Sequence, residues 1–361
     1  MRDQMSAQLA SPSLSQCEAF IPDLVSPQPA TSNGWKAWDN FLEKTPKTGF
    51  MQSSWWVDFR YTCGFQNFGI TLTDGDAVIG GAVVLKYSPA DDLCFYYIQD
   101  GPVLPSDPLI AEEIFQIVLE TIEERRKTEQ YTVSHLRIEP RWRCLPAFVS
   151  GFRPVSPFAD FYSEVRNTRC IDLSPSEEQI LAQMKPKGRY NIGIARRYGV
   201  SIIEDASPQG LADFYSIYEE TTERQGIESK PPDYFEALMS FFSSSHHASL
   251  FFAQYRGVRL ATALVIYFGT RATYFYGASR DLHRQVMAPY LLHFEIMRKA
   301  KALGHEWYDL WGIAPANEPD HPWKNLSIFK AKLGGEEVHL VPTLDYVYDP
   351  AAYARYTALR D

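Results

Sequence analysis

The chain has 361 residues, 45% of them apolar and 22% charged, the balance of a folded globular protein, and its length points to two domains. Its net charge of −9 argues against a wholesale nucleic-acid coat protein but leaves room for a local basic patch. Aromatic residues reach 14%, enough to build a large core and also to line a cleft.

Residues 1–30 are rich in Ser, Pro and Gln and read as a loosely ordered arm, without the apolar run after a basic start that marks a secretory signal. A helix is predicted from Trp35 to Glu43 and another from Ser53. FGITLTD then reads as a strand, Gly75 as a turn, and AVIGGAVVLKY and LCFYYIQDGPVL as further strands. LIAEEIFQIVLETIEERRKTEQ has helical periodicity, and SHLRIEP is a strand closed by Pro140. A boundary falls near Arg166. RCIDL follows as a strand, and Ser174-Pro175-Ser176-Glu177 predicts a capping box with Pro175 at the first helical position.

Further on, SLFFAQY and LATALVIYF flank the turn Arg256-Gly257. ATYFYGAS is a third strand, PYLLHFEIMRKAKALG a helix and EWYDLWGI a final strand. Strand, turn, strand, strand, helix, strand therefore occurs twice, which predicts a duplicated α/β (α+β) unit. The order is that of the acetyltransferase-type (GNAT) unit; two unrelated α+β domains are the alternative. Residues 31–166 plus 341–361 are expected to form one domain and residues 167–340 the other, with the tail from Val341 packing back onto the first. The longest apolar stretch, Leu260 to Phe268, is far short of the ~20 residues that span a membrane. The five cysteines show no C-x-x-C spacing, which fits a reducing, cytoplasmic setting.

The eight histidines form no H-x-x-x-H or H-E-x-x-H pattern, so no metal site is expected, and His246-His247 reads as a solvated turn. G-x-S-x-G, P-loop and G-x-G-x-x-G motifs are absent. Lys185, Lys187, Arg189, Arg196 and Arg197 lie in MKPKGRYNIGIARRYGV without one acidic residue. They read either as a solvated helix face or as a phosphate-binding stripe. Lys230 and Tyr234 in KPPDYF are presented from a loop and a helix start, good positions for ligand contact. Phe329-Lys330 ends the polar segment after the last strand. This lysine is either a surface residue or a fixed cation beside a reacting carbonyl.

Together MQSSWW, YYIQDGPV, LRIEP, KPKGRYNIGIARRYGV, ERQGI-x-x-KPPDYF, YFYGAS, MAPY, WYDLWGI and the Phe329-Lys330 pair resemble the Fem family of bacterial aminoacyl-tRNA-dependent peptidyltransferases. The likeness spans nearly the whole chain except the arm. No heptad segment matches the coiled-coil insertion of some members, which points to the compact FemX type. The resemblance implies two GNAT-like domains and transfer of an amino acid from aminoacyl-tRNA to an amine of a peptidoglycan precursor, UDP-MurNAc-pentapeptide or lipid II. It implies contact with the inner membrane surface if the acceptor is lipid-linked, and a monomer is expected. It places precursor binding at Arg60, Lys230, Tyr234 and Tyr274, with Phe329 and Lys330 at the aminoacyl ester and Glu139 at the acidic position of the LRxDP motif. Arg60, Lys230 and Glu139 stand where the family has Lys, Arg and Asp. Charge is kept, but a lysine lacks arginine's bidentate phosphate fork.

An aminoacyl ester is already activated, so no cofactor is needed. Lys330 would stabilise the oxyanion, and proton removal is left to the substrate's own groups, to water or to Glu139. A CoA-dependent N-acyltransferase is the competing enzyme reading. It needs a glycine-rich pyrophosphate loop, whereas His283–Pro289 lacks glycine and Pro289 lacks an N–H. A non-catalytic binding paralogue and a transferase acting on a natural-product scaffold are the remaining alternatives.

Overall fold

The computed structural model describes residues 33–46, 48–155, 166–243, 246–316 and 318–359; the arm predicted over 1–30 lies outside them. Helices α1 (Asn33–Lys44) and α2 (Ser54–Thr62) precede strands β1 (Gln66–Asp74), β2 (Ala77–Ala90) and β3 (Leu93–Gln99). Helix α3 (Pro108–Lys127) crosses over to β4 (Thr132–Glu139), and β5 (Arg153–Val155) follows. Next come β6 (Asn167–Asp172), α4 (Glu177–Gln183), α5 (Pro186–Tyr198), β7 (Ser201–Glu204), α6 (Pro208–Gln225) and α7 (Pro232–Ser243). The second series is β8 (Ala248–Tyr255), β9 (Val258–Phe268), β10 (Arg271–Ser279), α8 (Ala288–Ala302) and β11 (Trp307–Gly312). Helix α9 (Lys324–Lys332), β12 (Glu336–His339), β13 (Thr343–Val347) and α10 (Pro350–Ala358) complete the described chain.

Two sheets result, ordered β1-β2-β3-β4-β13-β5 and β12-β6-β11-β10-β9-β8-β7. In each, two antiparallel pairings lead to one parallel pairing bridged by a helix, β3 with β4 through α3 and β10 with β11 through α8. An antiparallel strand then continues each sheet. The second unit takes it from β6, which comes before the unit, and the first takes it from β13 in the tail. The β8–β9 hairpin turns at Arg256-Gly257, both at positive φ (50° and 79°), the conformation of a two-residue turn whose twist matches its strands.

Alternation along the strands builds three cores. Val83 and Leu85 of β2 and Leu250 and Phe252 of β8 face a shared layer with Phe50, Trp56, Phe59, Phe235 and Phe242. The layer between the sheets is therefore one continuous aromatic core. The intervening residues Ala82 and Val84 face α3, while Phe251 and Ala253 face the α8 side. His247 belongs to this interior seam and not to a solvated turn. Its ring stacks on Trp55 at 3.6 Å, and burial pushes its pKa down.

The capping box sits two residues later than the sequence pattern predicts. Ser176 caps α4 and pairs reciprocally with Gln179. Asp172 accepts from the Ser174 N–H, and that turn keeps Pro175 outside the helix.

Candidate active site

Lys330 lies in α9, and the helix is inverted. Of its described residues Lys330 alone is buried, at 3% exposure, while Leu326 and Ile328 face outward. A buried lysine in a helix that exposes its apolar side chains is a functional signal, because desolvating an ammonium is costly. Its Nζ donates to the Gly312 carbonyl at 2.5 Å and lies 5.9 Å from the centre of the Tyr274 ring. Burial brings its pKa down to about 7, with Asp309 pulling the other way. Phe329 packs against Tyr290 and His293 at 5.1 and 5.4 Å. His293 Nδ1 is 2.8 Å from the Tyr308 hydroxyl, and burial followed by the Lys330 charge pushes its pKa down to about 3.

The centre lies where β10 and β11 part. These strands pair in parallel only from Arg271↔Trp307 to Thr273↔Asp309. At the same place β10 carries a bulge, with Tyr274 opposite Val265 but Tyr276 opposite Leu264. The extra residue reverses the facing of side chains that a regular strand would put on one side. Tyr274 turns to the α8 face, 4.5 Å from the His293 ring. Its hydroxyl lies over Gly277, where a Cβ would come within 1.8 Å. Tyr276 turns to the layer between the sheets, its hydroxyl 3.0 Å from that of Tyr234.

The residues predicted to bind a precursor therefore divide. Arg60, at the end of α2, lies over the Phe65 ring at 4.0 Å, and its buried Nε has no hydrogen-bond partner among the described residues. Its neighbour Phe59 meets Tyr234 edge-on at 5.0 Å. The Lys230 N–H donates to the Tyr218 hydroxyl at 3.3 Å, and the Tyr218 ring is 6.0 Å from Tyr276. Arg60, Lys230 and Tyr234 thus surround one aromatic wall between the sheets. Tyr274 stands on the other side of the bulge with Lys330, and Tyr276 takes the wall position. Sequence reading misses this because a bulge leaves no signature in YFYGAS.

Glu139 ends strand β4. It is wholly buried inside the first sheet, accepting from the Tyr97 hydroxyl at 2.5 Å on one oxygen and from Thr343 at 2.9 Å on the other. A carboxylate so enclosed holds sheet and tail together. The acidic group coupled to Lys330 is Asp309 of β11, which sequence reasoning missed. Its signal was there, an aspartate inside the apolar strand WYDLWG. Burial opposes its charge, yet Arg271 at 2.9 Å and Arg141 at 3.6 Å outweigh burial and hold its pKa low.

The basic helix also divides. α5 starts at Pro186 and ends on Gly199 at φ 77°. Arg189 turns back to the carbonyls of Ala182 and Met184 at the end of α4, and Arg196 pairs with Glu295. Lys185 is exposed at the helix start. Lys187 and Arg197 flank Tyr190, which is 56% exposed, at 5.1 and 5.9 Å from its ring centre. Gly188 lets α5 close on α9, since a Cβ there would meet the Lys332 carbonyl at 2.1 Å. Beside Phe329, at the head of α8, lies a cavity of about 320 Å³ lined by Arg224, Arg280, His283, Arg284 and Tyr290.

The solved structure of FemX superposes with a TM-score of 0.81 over 90% of this chain and 98% of that one, at 18% identity. A tandem GNAT protein from the clavulanic acid biosynthesis pathway matches more loosely, with a TM-score of 0.52 over 93% of this chain and 99% of that one, at 11% identity. Both likenesses concern the fold, which is that of two tandem GNAT-like units. Among curated proteins, the UDP-N-acetylmuramoylpentapeptide-lysine N(6)-alanyltransferase of Weissella viridescens is 22% identical over 88% of this chain and 94% of its own. The lipid II:glycine glycyltransferase of Staphylococcus epidermidis is 19% identical over 87% and 92%. The sequence model of the FemAB family matches residues 159–256 and 252–361, which together make more than half of the chain, and the protein belongs to that family.

Proposed function

We propose that this protein transfers an aminoacyl group from aminoacyl-tRNA to an amine of a peptidoglycan precursor, working as a cytoplasmic monomer without a cofactor. Its curated relatives are an alanyltransferase acting on a UDP-N-acetylmuramoylpentapeptide lysine and glycyltransferases acting on lipid II. The observation that carries the reading is the desolvated Lys330 held at the mouth of the parted strands β10 and β11. Among the described residues no helix is long and apolar enough to cross a membrane. A lipid-linked acceptor would therefore be met at the inner membrane surface.

In this reading the precursor lies along the wall of Arg60, Lys230, Tyr234 and Tyr276. The end of the donor enters by the arginine-lined cavity, with Lys185, Lys187 and Arg197 along its backbone and Arg189 and Arg196 holding the helix in place. Phe329 flanks the ester, Tyr274 backs Lys330, and the Lys330 ammonium meets the oxyanion as the amine attacks. Alignment of amine and ester contributes on the order of 7–11 kcal/mol in well-ordered cases. We take residues 31–166 with 341–361, and 167–340, as the two folding units that close on this cleft.

The test incubates the full chain with a pool of labelled aminoacyl-tRNAs and either UDP-MurNAc-pentapeptide or lipid II, followed by mass analysis. The expected product has gained one aminoacyl residue. Transfer from acetyl-CoA with none from any aminoacyl-tRNA would replace this reading with CoA-dependent acylation.

A further inference from the structure

Asp309 does more than balance charge. It is fully buried, and one of its oxygens accepts from the Trp311 N–H at 2.9 Å and from Thr168. A carboxylate that accepts from the N–H two residues on makes an Asx-turn, which tolerates unusual backbone. Trp311 is at φ 60°, a left-handed conformation that is disfavoured for a non-glycine residue. Across the same stretch the pairing of β11 with β6 slips, with Asp309 opposite Cys170 but Gly312 opposite Thr168. The turn leads directly to Gly312, whose carbonyl receives Lys330.

We propose that Asp309 is the positioning residue of the transfer centre. Its Asx-turn aims the Gly312 carbonyl that fixes Lys330, and its carboxylate, held by Arg271 and Arg141, sets the charge behind that carbonyl. Arg141 connects this control to the first sheet, because it follows β4 and reaches both Asp309 and Asp100, at 3.6 and 3.3 Å. The groups that act on Lys330 are His293 of α8, Tyr274 of β10 and Asp309 of β11, with Tyr308 behind His293 and Arg271 and Arg141 acting through Asp309. Helix α5 meets α9 through Gly188. Asp309 is the acidic member of that set, and its charge opposes the effect of burial on the Lys330 amine. The proposal rests on the reading of Lys330 given above.

The experiment separates the two effects of Asp309. Full-length protein carrying isotope-labelled lysine is titrated by NMR, with the Lys330 signal assigned from Lys330→Arg. Asp309→Asn keeps the turn acceptor and removes the charge, so the Lys330 pKa should fall by about one unit or more. Arg141→Gln removes a cation, so the Lys330 pKa should rise. Asp309→Glu keeps the charge and displaces the turn, so kcat should fall by up to about 10²-fold with KM little changed. General damage to the fold would not move the two titrations in opposite directions. An unmoved Lys330 titration in folded Asp309→Asn, or a downward shift in Arg141→Gln, overturns the proposal. If Asp309→Asn does not fold, the sign of the Arg141→Gln shift decides alone. Wild-type transfer by Lys330→Ala would instead sink the reading of Lys330 and leave the measured coupling standing.

Discussion

The two copies of the unit share one strand order and differ at the place where a unit can open. In the first, β3 and β4 stay paired from Leu93↔Thr132 to Gln99↔Glu139, and Tyr97 and Thr343 seal the Glu139 carboxylate. In the second, β10 and β11 separate after Thr273↔Asp309, and Lys330 lies at the opening. The helix heads differ in the same sense. Asp107 caps α3, accepting from the N–H groups of Leu109 and Ile110, whereas α8 begins at Met287 with no side-chain cap and faces a cavity. The tail widens the contrast by laying β13 beside β4, where Arg137 grips Asp345 with two bonds of 2.8 Å. One copy keeps its parallel pair closed along its length, and in the other the parallel pair parts beside a buried lysine. Duplication thus allows one unit to carry stability while its twin carries strain.

The sharpest way to break that contrast is inside the sealed copy. Arg137→Met leaves Asp345 buried without its guanidinium partner, with the Tyr353 hydroxyl still donating to it, and should cost about 3–5 kcal/mol of stability, read from chemical denaturation. The remaining folded fraction should keep its turnover number. A loss of turnover without loss of stability would show that the first copy takes part in the chemistry.

Lys330→Ala is the matching change in the open copy and should have the opposite signature. Removing a donor of this kind typically costs ~2.7–4 kcal/mol of barrier. The thermal midpoint should hold or rise, because a desolvated amine is removed. Wild-type transfer by the folded variant would take Lys330 out of the mechanism.

His293 tests the strain through pH. Its folded pKa, about 3, lies below the ordinary histidine value, so the folded state holds it neutral. Its contribution is fully present above about pH 6.5 and is lost as pH falls from there towards 3. His293→Phe should flatten that part of the stability–pH curve, measured by thermal midpoints between pH 7 and the acid transition. An unchanged slope would mean that the ring is protonated in the folded protein.

The smallest expected effect is at the helix heads. Asp107→Ala should cost about 1 kcal/mol, the ordinary value of a lost cap, and leave transfer untouched. Placing an aspartate at Met287 should impair donor binding while gaining little stability, since it would put a negative charge beside Arg284 and the cavity. An equal gain in stability at both heads with transfer intact would show that the second opening is not used.

Much of this contrast is legible in the chain. The repeated order of strands and helix follows from periodicity and from the turns at Gly75 and Gly257, because alternation and helical spacing are local properties. Phe329-Lys330 and KPPDYF could be singled out because their residue types and settings suit contact with a ligand. What remained hidden depends on partners far along the chain. Glu139 reads only as the acidic residue of LRIEP, and its enclosure by Tyr97 and Thr343 is set by partners elsewhere in the chain. Arg189 reads as part of a phosphate stripe until its guanidinium is seen to cap α4. Asp309 was passed over because its partners Thr168, Arg271 and Arg141 come from three separate segments.

By itself, then, the sequence determined the two-fold repeat and the placing of its helices and strands, since these rest on hydrophobic period and turn chemistry over a few residues. Only the tertiary structure decided which copy opens. That choice depends on a bulge that parts Tyr274 from Tyr276, a slip that aims Gly312 at Lys330, and a tail strand that closes the first sheet. Each is a one-residue register or a long-range pairing, and local propensity is nearly indifferent to both.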